Sequence, residues 1–339
     1  MAFSEKLITS LNDILRTRRK SVIIIHPQPD ADALGASLAW KKFLERRGHE
    51  ATIISPTEYT KNLNWLPGVD AVLVYENEAI KAKCHELLQN AELIFCLDFN
   101  NFSRLEQLGA IVQSAEAAKV LIDHHQQPEP FAQIMFSDTS YCATSEMLYD
   151  IIAALHCTDW IDEDLALCLY TGLVTDNGFF QFNNTTPRSM HIAASLLEKG
   201  VRPDYVSEKI NNIFRENRLR FFGYCLHEKL KLVKDGKVAY MMLSSEEIKR
   251  FNLQSGDSEG LVNYPFKIEG VVVSAYFSEE TDKIKVSFRS RGAVDVNQFA
   301  RKHFEGGGHR NAAGGKSYLG LEKTEKKFLD ALNDLPLYN

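Results

Sequence analysis

The sequence predicts an α/β protein: a parallel sheet wrapped by helices, followed by a smaller α/β domain. Three observations carry this. Short aliphatic runs at 22–25, 51–54, 71–74, 93–97 and 120–122 alternate with helical periods, the pattern of successive βα units. Beyond about residue 222 the pattern changes to paired strand-like runs joined by turns. Clusters of His and Asp directly follow apolar runs, where the carboxyl ends of parallel strands converge on one crevice.

A chain of 339 residues, 45% hydrophobic and 25% charged, is comfortable for two globular domains. No apolar stretch approaches the roughly 18–20 residues that span a bilayer. Residues 1–20 read as an amphipathic helix with Leu7, Ile8, Leu11, Ile14 and Leu15 on one face, and lack the pattern of an export signal. A cytoplasmic protein, not a membrane protein, is expected. Six scattered cysteines without a CxxC pair disfavour structural zinc and a disulfide framework. The net charge of −6 argues against a grip on long duplex nucleic acid, but not against a short anionic substrate in a local basic pocket.

Taken in order, the run 22–25 ends in His26-Pro27-Gln28-Pro29-Asp30-Ala31-Asp32. The prolines forbid regular helix, so alternate carboxylates on an extended turn can reach adjacent cations. The alternative is an Asx-type helix cap with His26 merely finishing a strand, but His, two Asp and two Pro within seven residues favour a metal site. Gly35 and Ala36 permit close packing of the next helix, 33–47; another is expected at 78–89. The run 93–97 ends in Asp98, with Arg104 six residues on and able to face the same crevice. Asp98, taken alone, is an ordinary turn former. The run 120–122 ends in Asp123-His124-His125. Neighbours on a strand point to opposite sides, so His124 is assigned to metal and His125 to phosphate contact or proton donation. Asp123 is expected to orient the turn. Helices follow at 144–155 and 163–175, the latter leading to Asp176, and a further helix begins at Pro187 with Thr186 as its N-cap. Mixed carboxylate and imidazole donors suit Mn²⁺, Mg²⁺ or Co²⁺.

Residues 188–222 read as a helical connector between a first domain, 1–187, and a second, 223–339. In the second, 230–233 and 238–243 flank the turn Asp235-Gly236, and 271–277 pairs with 284–288. A helix from 296 to about 301 precedes Gly306-Gly307-Gly308-His309. Residues 283–316 hold eight Lys or Arg against two acids, reversing the sign of the chain. Arg289 and Arg291 lie two apart at a strand end, Gly306, Gly307 and Gly308 can offer an anion a nest of backbone N–H groups, and His309 and Arg310 add side-chain donors; the alternative is a flexible loop with a solvated basic face.

Together these motifs resemble the DHH phosphoesterase superfamily, in its two-domain branch with a C-terminal DHHA1 domain. The segment from His26 to Ser37 is similar to its first motif, Asp98 to the second, Asp123-His124-His125 to the third and Asp176-Asn177-Gly178-Phe179 to the fourth. Phe288-Arg289-Ser290-Arg291 and Gly306 to His309 resemble the DHHA1 substrate elements. The resemblance implies a Rossmann-like DHH domain with the active site in an interdomain cleft. It implies two divalent cations, most suitably Mn²⁺: one on His26, Asp30 and Asp98, the other on Asp32, Asp98, His124 and Asp176, with Asp98 bridging. His125, Asp98 and His124 are the implied catalytic residues, and Arg104 joins the substrate contacts. Length and domain order look most like the nano-RNase/pAp phosphatase group, implying short RNA or adenosine 3′,5′-bisphosphate (pAp) as substrate and compatible with a homodimer. The alternatives are hydrolysis of the linear dinucleotide pApA and action on polyphosphate or pyrophosphate. A RecJ-like processive exonuclease and a non-catalytic nucleotide sensor fit the sequence less well. Phe99-Asn100-Asn101 is bulkier than the family pattern and is expected to alter the nucleoside pocket.

Overall fold

Strands that are apolar at successive positions, not alternate ones, are covered on both faces. The first sheet is built this way. Its strands are β1 Lys20–Ile24, β2 Glu50–Ser55, β3 Leu73–Val74, β4 Leu93–Leu97, β5 Ala118–Asp123 and β6 Ile134–Ser137, and all five residues of β4 are buried. Helices α1 Glu5–Ile14, α2 Ala31–Arg46, α3 Glu78–Gln89, α4 Gln107–Ser114, α5 Thr144–Ala154, α6 Glu163–Asp176, α7 Pro187–Leu197 and α8 Pro203–Ser207 complete this part. The computed structural model describes residues 3–212, 215–253 and 256–337. It divides into two units, residues 1–213 and 214–339.

All pairings in the first sheet are parallel, in the order β3-β2-β1-β4-β5-β6. Chain direction across the sheet reverses between β1 and β4, and the crevice outside the carboxyl ends of those strands is where such sheets bind ligands. One face packs Ile23, Phe95, Leu97 and Ile122 against residues of α1, α2, α5 and α6; the other packs Ile24, Ile94, Cys96 and Leu121 against α3 and α4. Gly35 on α2 and Gly172 on α6 let these two helices meet closely: a Cβ on Gly35 would strike the backbone carbonyl of Cys168.

The second unit contains α9 Glu216–Tyr224, β7 Lys231–Val233, β8 Val238–Leu243, α10 Ser245–Arg250, β9 Val273–Glu279, β10 Ile284–Ser290, α11 Val296–His303, β11 Gly307–His309, β12 Ala312–Ser317 and α12 Leu321–Ala331. Its sheet runs β11-β12-β10-β9-β8-β7, antiparallel except for the β8–β9 pair. One face buries Phe277, Phe288 and Val286 beneath α11 and α12; the other buries Met241, Leu243 and Tyr276 beneath α9 and the 3₁₀ segment Leu261–Lys267.

Several elements differ from expectation. Of the third run, 71–74, only Leu73–Val74 is paired as strand and Ala71 ends the 3₁₀ turn Val69–Ala71; β6 and α4 are additional to the expected elements. Of the expected connector, residues 188–212 lie in the first unit and 215–222 in the second, while 213 and 214 fall outside the described residues. The glycine run is an edge strand, not an open nest: Gly307–His309 pairs with β12, and the Gly308 N–H donates to Asn297 Oδ1 at 3.0 Å. Phe99 is fully buried and stacks toward Phe131. Among the described residues no helix is long and apolar enough to cross a membrane.

Replacing a helical glycine by alanine normally stabilises by about 1 kcal/mol. At Gly35 the clash reverses that sign. Gly35→Ala is expected to lower the urea midpoint, at a cost of about 1–3 kcal/mol; an unchanged or raised midpoint contradicts the close α2–α6 contact.

Candidate metal centre

Three strands deliver the site. After β1 the chain turns through Pro27, Gln28 (φ 51°) and Pro29 into Asp30, the N-cap of α2. One oxygen of Asp30, Oδ1, accepts the backbone N–H groups of Asp32 and Ala33, both at 3.0 Å, and lies 3.9 Å from His26 Nε2. The capping and ligand readings of Asp30 are therefore compatible. His26 Nδ1 lies 2.9 Å from the Pro27 carbonyl; a proton held there leaves Nε2 as the donor atom, 3.3 Å from Asp98 Oδ2.

Asp98, just past β4, adopts φ 62°, a conformation Asp tolerates better than most residues. It is 2% exposed and sits centrally. Its Oδ1 accepts from Thr144 Oγ1 at 2.9 Å and lies 3.5 Å from His124 Nε2. His124 Nε2 is also 3.3 Å from Asp176 Oδ2 and 3.9 Å from Asp32 Oδ2, and its Nδ1 is 3.2 Å from the Tyr141 carbonyl. Asp176 is the last residue of α6.

Asp32 is buried on the first turn of α2, where its two oxygens accept the backbone N–H groups of Thr144 at 2.7 Å and Ser145 at 3.0 Å. Those groups open α5, so the positive end of a helix dipole faces the carboxylate. Gly172 of α6 backs the arrangement: a Cβ there would lie 2.6 Å from Asp32 Oδ1. The sequence reading missed Thr144, Ser145 and the Tyr141 carbonyl. The signal was present in Thr144-Ser145-Glu146 opening a helix, since unpaired N–H groups there attract an anion.

Asp123 takes the orienting role expected of it. It accepts the His125 backbone N–H at 3.0 Å and pairs with His125 Nδ1 at 2.7 Å, leaving Nε2 as the other ring nitrogen. Arg104 lies on the 3₁₀ turn Phe102–Leu105, half-buried, and its charge opposes protonation of His26. Arg289, Arg291, Gly306, Gly307, Gly308 and His309 belong to the second unit, on or beside β10 and β11.

Electrostatically the cluster is short of cations. Burial opposes a charge on His26, yet Asp98 and Asp30 outweigh it and raise its pKa to about 9. The same contest ends with His124 well above the ordinary imidazole value, driven by Asp98 and Asp176. Burial and Asp98 push Asp32 up to about 7. Burial also carries Asp176 well above the carboxylate range despite His124. Asp98, buried too, is held well below that range by His124 and His26. Burial lowers His125 against the pull of Asp123.

Among the groups whose donor atoms lie within 4.8 Å of one another, two overlap at the strand ends: His26, Asp30 and Asp98, and Asp32, Asp98 and His124. They share Asp98. Buried carboxylates that repel one another, with imidazole but no thiolate among these donors, fit a hard or borderline divalent cation.

Residues 20–173 match the DHH family, N-terminal domain, and residues 235–335 the DHHA1 domain. The chain is 31% identical over 315 residues to the bifunctional oligoribonuclease and PAP phosphatase NrnA of Thermus thermophilus, covering 92% of this chain and 89% of the relative. It is 29% identical over 297 residues to the protein of the same name in Bacillus subtilis, covering 86% and 88%. Among solved structures, an exopolyphosphatase-related protein from Bacteroides fragilis superposes with a TM-score of 0.92 at 35% identity, over 98% of this chain and 96% of that one. The four sequence motifs, the reversal between β1 and β4 and these relatives agree: the chain belongs to the DHH family of phosphoesterases, hydrolases of phosphate esters, in the two-domain form that carries DHHA1.

Proposed function

We propose that this protein hydrolyses short oligoribonucleotides and pAp, using two divalent cations, Mn²⁺ being the best suited. The observation that carries the reading is the pair of donor groups sharing Asp98 in the crevice between β1 and β4. His26, Asp30 and Asp98 would hold one cation; Asp32, Asp98, His124 and Asp176 the other. Such cations supply Lewis acidity, lowering the pKa of water and offsetting charge that builds on the phosphoryl oxygens. The names of the relatives, oligoribonuclease and PAP phosphatase, support the substrate class. Six cysteines without a disulfide among them support action in the reducing cytoplasm.

The chain's own residues then have distinct tasks. Asp98 stays ionised because His124 and His26 hold it, while the Thr144 and Ser145 N–H groups position Asp32 and favour its carboxylate against burial and the charge of Asp98. Asp123 fixes the His125 ring, so that Nε2 meets the scissile phosphate or carries the proton to the leaving oxygen. Arg104 adds a half-buried positive charge for a phosphate. Arg289, Arg291 and His309 bind the remainder of the substrate. The name of the Bacteroides fragilis protein favours a second reading, polyphosphate hydrolysis.

Parallel assays with Mn²⁺ on pAp, pApA, a five-nucleotide RNA and polyphosphate separate these. Phosphate or mononucleotide release from pAp and the RNA is expected; turnover of polyphosphate alone would replace the first reading with the second. His125→Ala is expected to lower kcat by about 10²–10⁴-fold while Mn²⁺ affinity, read by calorimetry, stays within a few fold. Collapse of Mn²⁺ binding in that variant would make His125 a ligand instead.

Cation binding should also be linked to pH. Without a cation, His26 keeps its proton up to about pH 9 and Asp32 up to about pH 7. A bound cation displaces those protons, so Mn²⁺ affinity is expected to rise with pH between 6 and 9 with net proton release, measurable by titration in buffers of different ionisation enthalpy. His26 stabilises the cation-free fold fully below its ordinary 6.5 and loses that contribution towards 9, while Asp32, raised from 3.8 to about 7, opposes folding once ionised. Both terms predict a cation-free melting temperature that falls as pH rises, and a Mn²⁺-induced increase that grows with pH. A pH-independent Mn²⁺ affinity would contradict the assignment.

A further inference from the structure

One face of the second unit's sheet is floored by small residues. Directly opposed residues in an antiparallel sheet project to the same side. The registers His309↔Ala312↔Arg289 and Gly307↔Gly314↔Ser287 therefore place Ala312, Gly314 and Ser287 beside Arg289, and the Arg301 guanidinium lies against Gly307 at the edge, 3.3 Å from where a Cβ would stand. Phe288, one residue away, turns to the other face and into the core under α11 and α12. Beyond the end of β10, the Arg291 guanidinium lies over the Phe266 ring, 4.7 Å from its centroid. Phe266 belongs to the 3₁₀ segment Leu261–Lys267, which packs on β9 and β10. Arg291 is exposed and Phe266 half-buried. Tyr264, 36% exposed, is braced edge-on against buried Phe222 at 5.3 Å, and Lys267 Nζ lies 5.9 Å from the Tyr264 ring.

A guanidinium laid on a ring is held as a flat plate, and its outer face and N–H edge stay available for a ligand. Flat plates beside exposed aromatic rings are what unpaired nucleobases stack on, whereas a simple phosphate clamp needs no ring beneath its arginine. We propose that Phe266, Arg291 and Tyr264 form a nucleobase platform: the base lies on the outer face of the Arg291 guanidinium while Arg289 and His309 receive a phosphate of the same nucleotide. The inference rests on the phosphoesterase reading above and sharpens it, because a platform of this kind selects nucleotides over polyphosphate, which has no planar group. Arg291 becomes a specificity-determining residue rather than a second phosphate clamp.

The test compares AMP with ribose 5-phosphate by calorimetry on the full chain in EDTA. Wild type is expected to bind AMP about tenfold more tightly, the increment of one stacked base. Phe266→Leu keeps apolar bulk without a π-face, and Arg291→Lys keeps charge without a plane. In each, AMP affinity should fall to that of ribose 5-phosphate. Equal binding of the two ligands by wild type overturns the platform, as does an AMP preference that survives both substitutions, or an equal loss of both ligands. Arg291→Lys alters an exposed side chain, so the comparison stands if Phe266→Leu fails to fold. Hydrolysis of pAp by wild type is measured separately. Hydrolysis without an AMP preference sinks only the platform, and a preference without hydrolysis sinks only the phosphoesterase assignment for nucleotides.

Discussion

Like charge confined to a small, dry space is the constraint around which the first unit is built. Asp32 and Asp98 are nearly sealed from solvent and Asp176 is partly so, and all three face the same imidazole. Each has to be held against repulsion from the others. The fold answers with dipoles and protons: the opening N–H groups of α5 on Asp32, the Thr144 hydroxyl on Asp98, and protonated imidazoles between carboxylates. The close α2–α6 approach through Gly35 and Gly172 brings Asp32 and Asp176 into the same space from different helices. A core made of two rigid layers keeps these groups from relaxing apart.

The second unit works under the opposite condition. Its basic and aromatic groups lie at or near the surface, on a sheet face stripped of bulk by Gly307, Ala312 and Gly314. Tyr264 is braced edge-on by Phe222 of a second small core, and Phe266 lies under the Arg291 guanidinium. The first unit concentrates chemistry in a few sealed atoms; the second offers area and shape.

Much of this was legible in the sequence because strand ends are punctuated. The runs before His26, Asp98 and Asp123 are apolar at consecutive positions, and the change to a polar residue of special chemistry marks where each strand leaves the sheet. Residues 93–97 and 78–89 match their elements, and Thr186 and Pro187 signalled the start of α7. What escaped notice depends on contacts between distant segments. β6 is four residues long and exists because β5 offers it an edge. Thr144 and Ser145 gain meaning only when α5 points at Asp32, more than a hundred residues away in sequence. The glycine run was read as an open nest because an edge strand of three residues leaves no periodic signal. Likewise, nothing in Asn263-Tyr264-Pro265-Phe266 announces that an arginine on another strand will lie across it.

Asp98 belongs to both donor groups and accepts from Thr144 as well. Its position is fixed by a left-handed backbone and by an N–H donated to Ile122 O from the neighbouring strand. A shared carboxylate ties two half-sites into one heritable unit. A substitution at Asp98 therefore disturbs both donor groups at once. On the sheet face of the second unit, by contrast, one ring or one guanidinium can be exchanged at a time, because no single side chain there is shared between two donor groups.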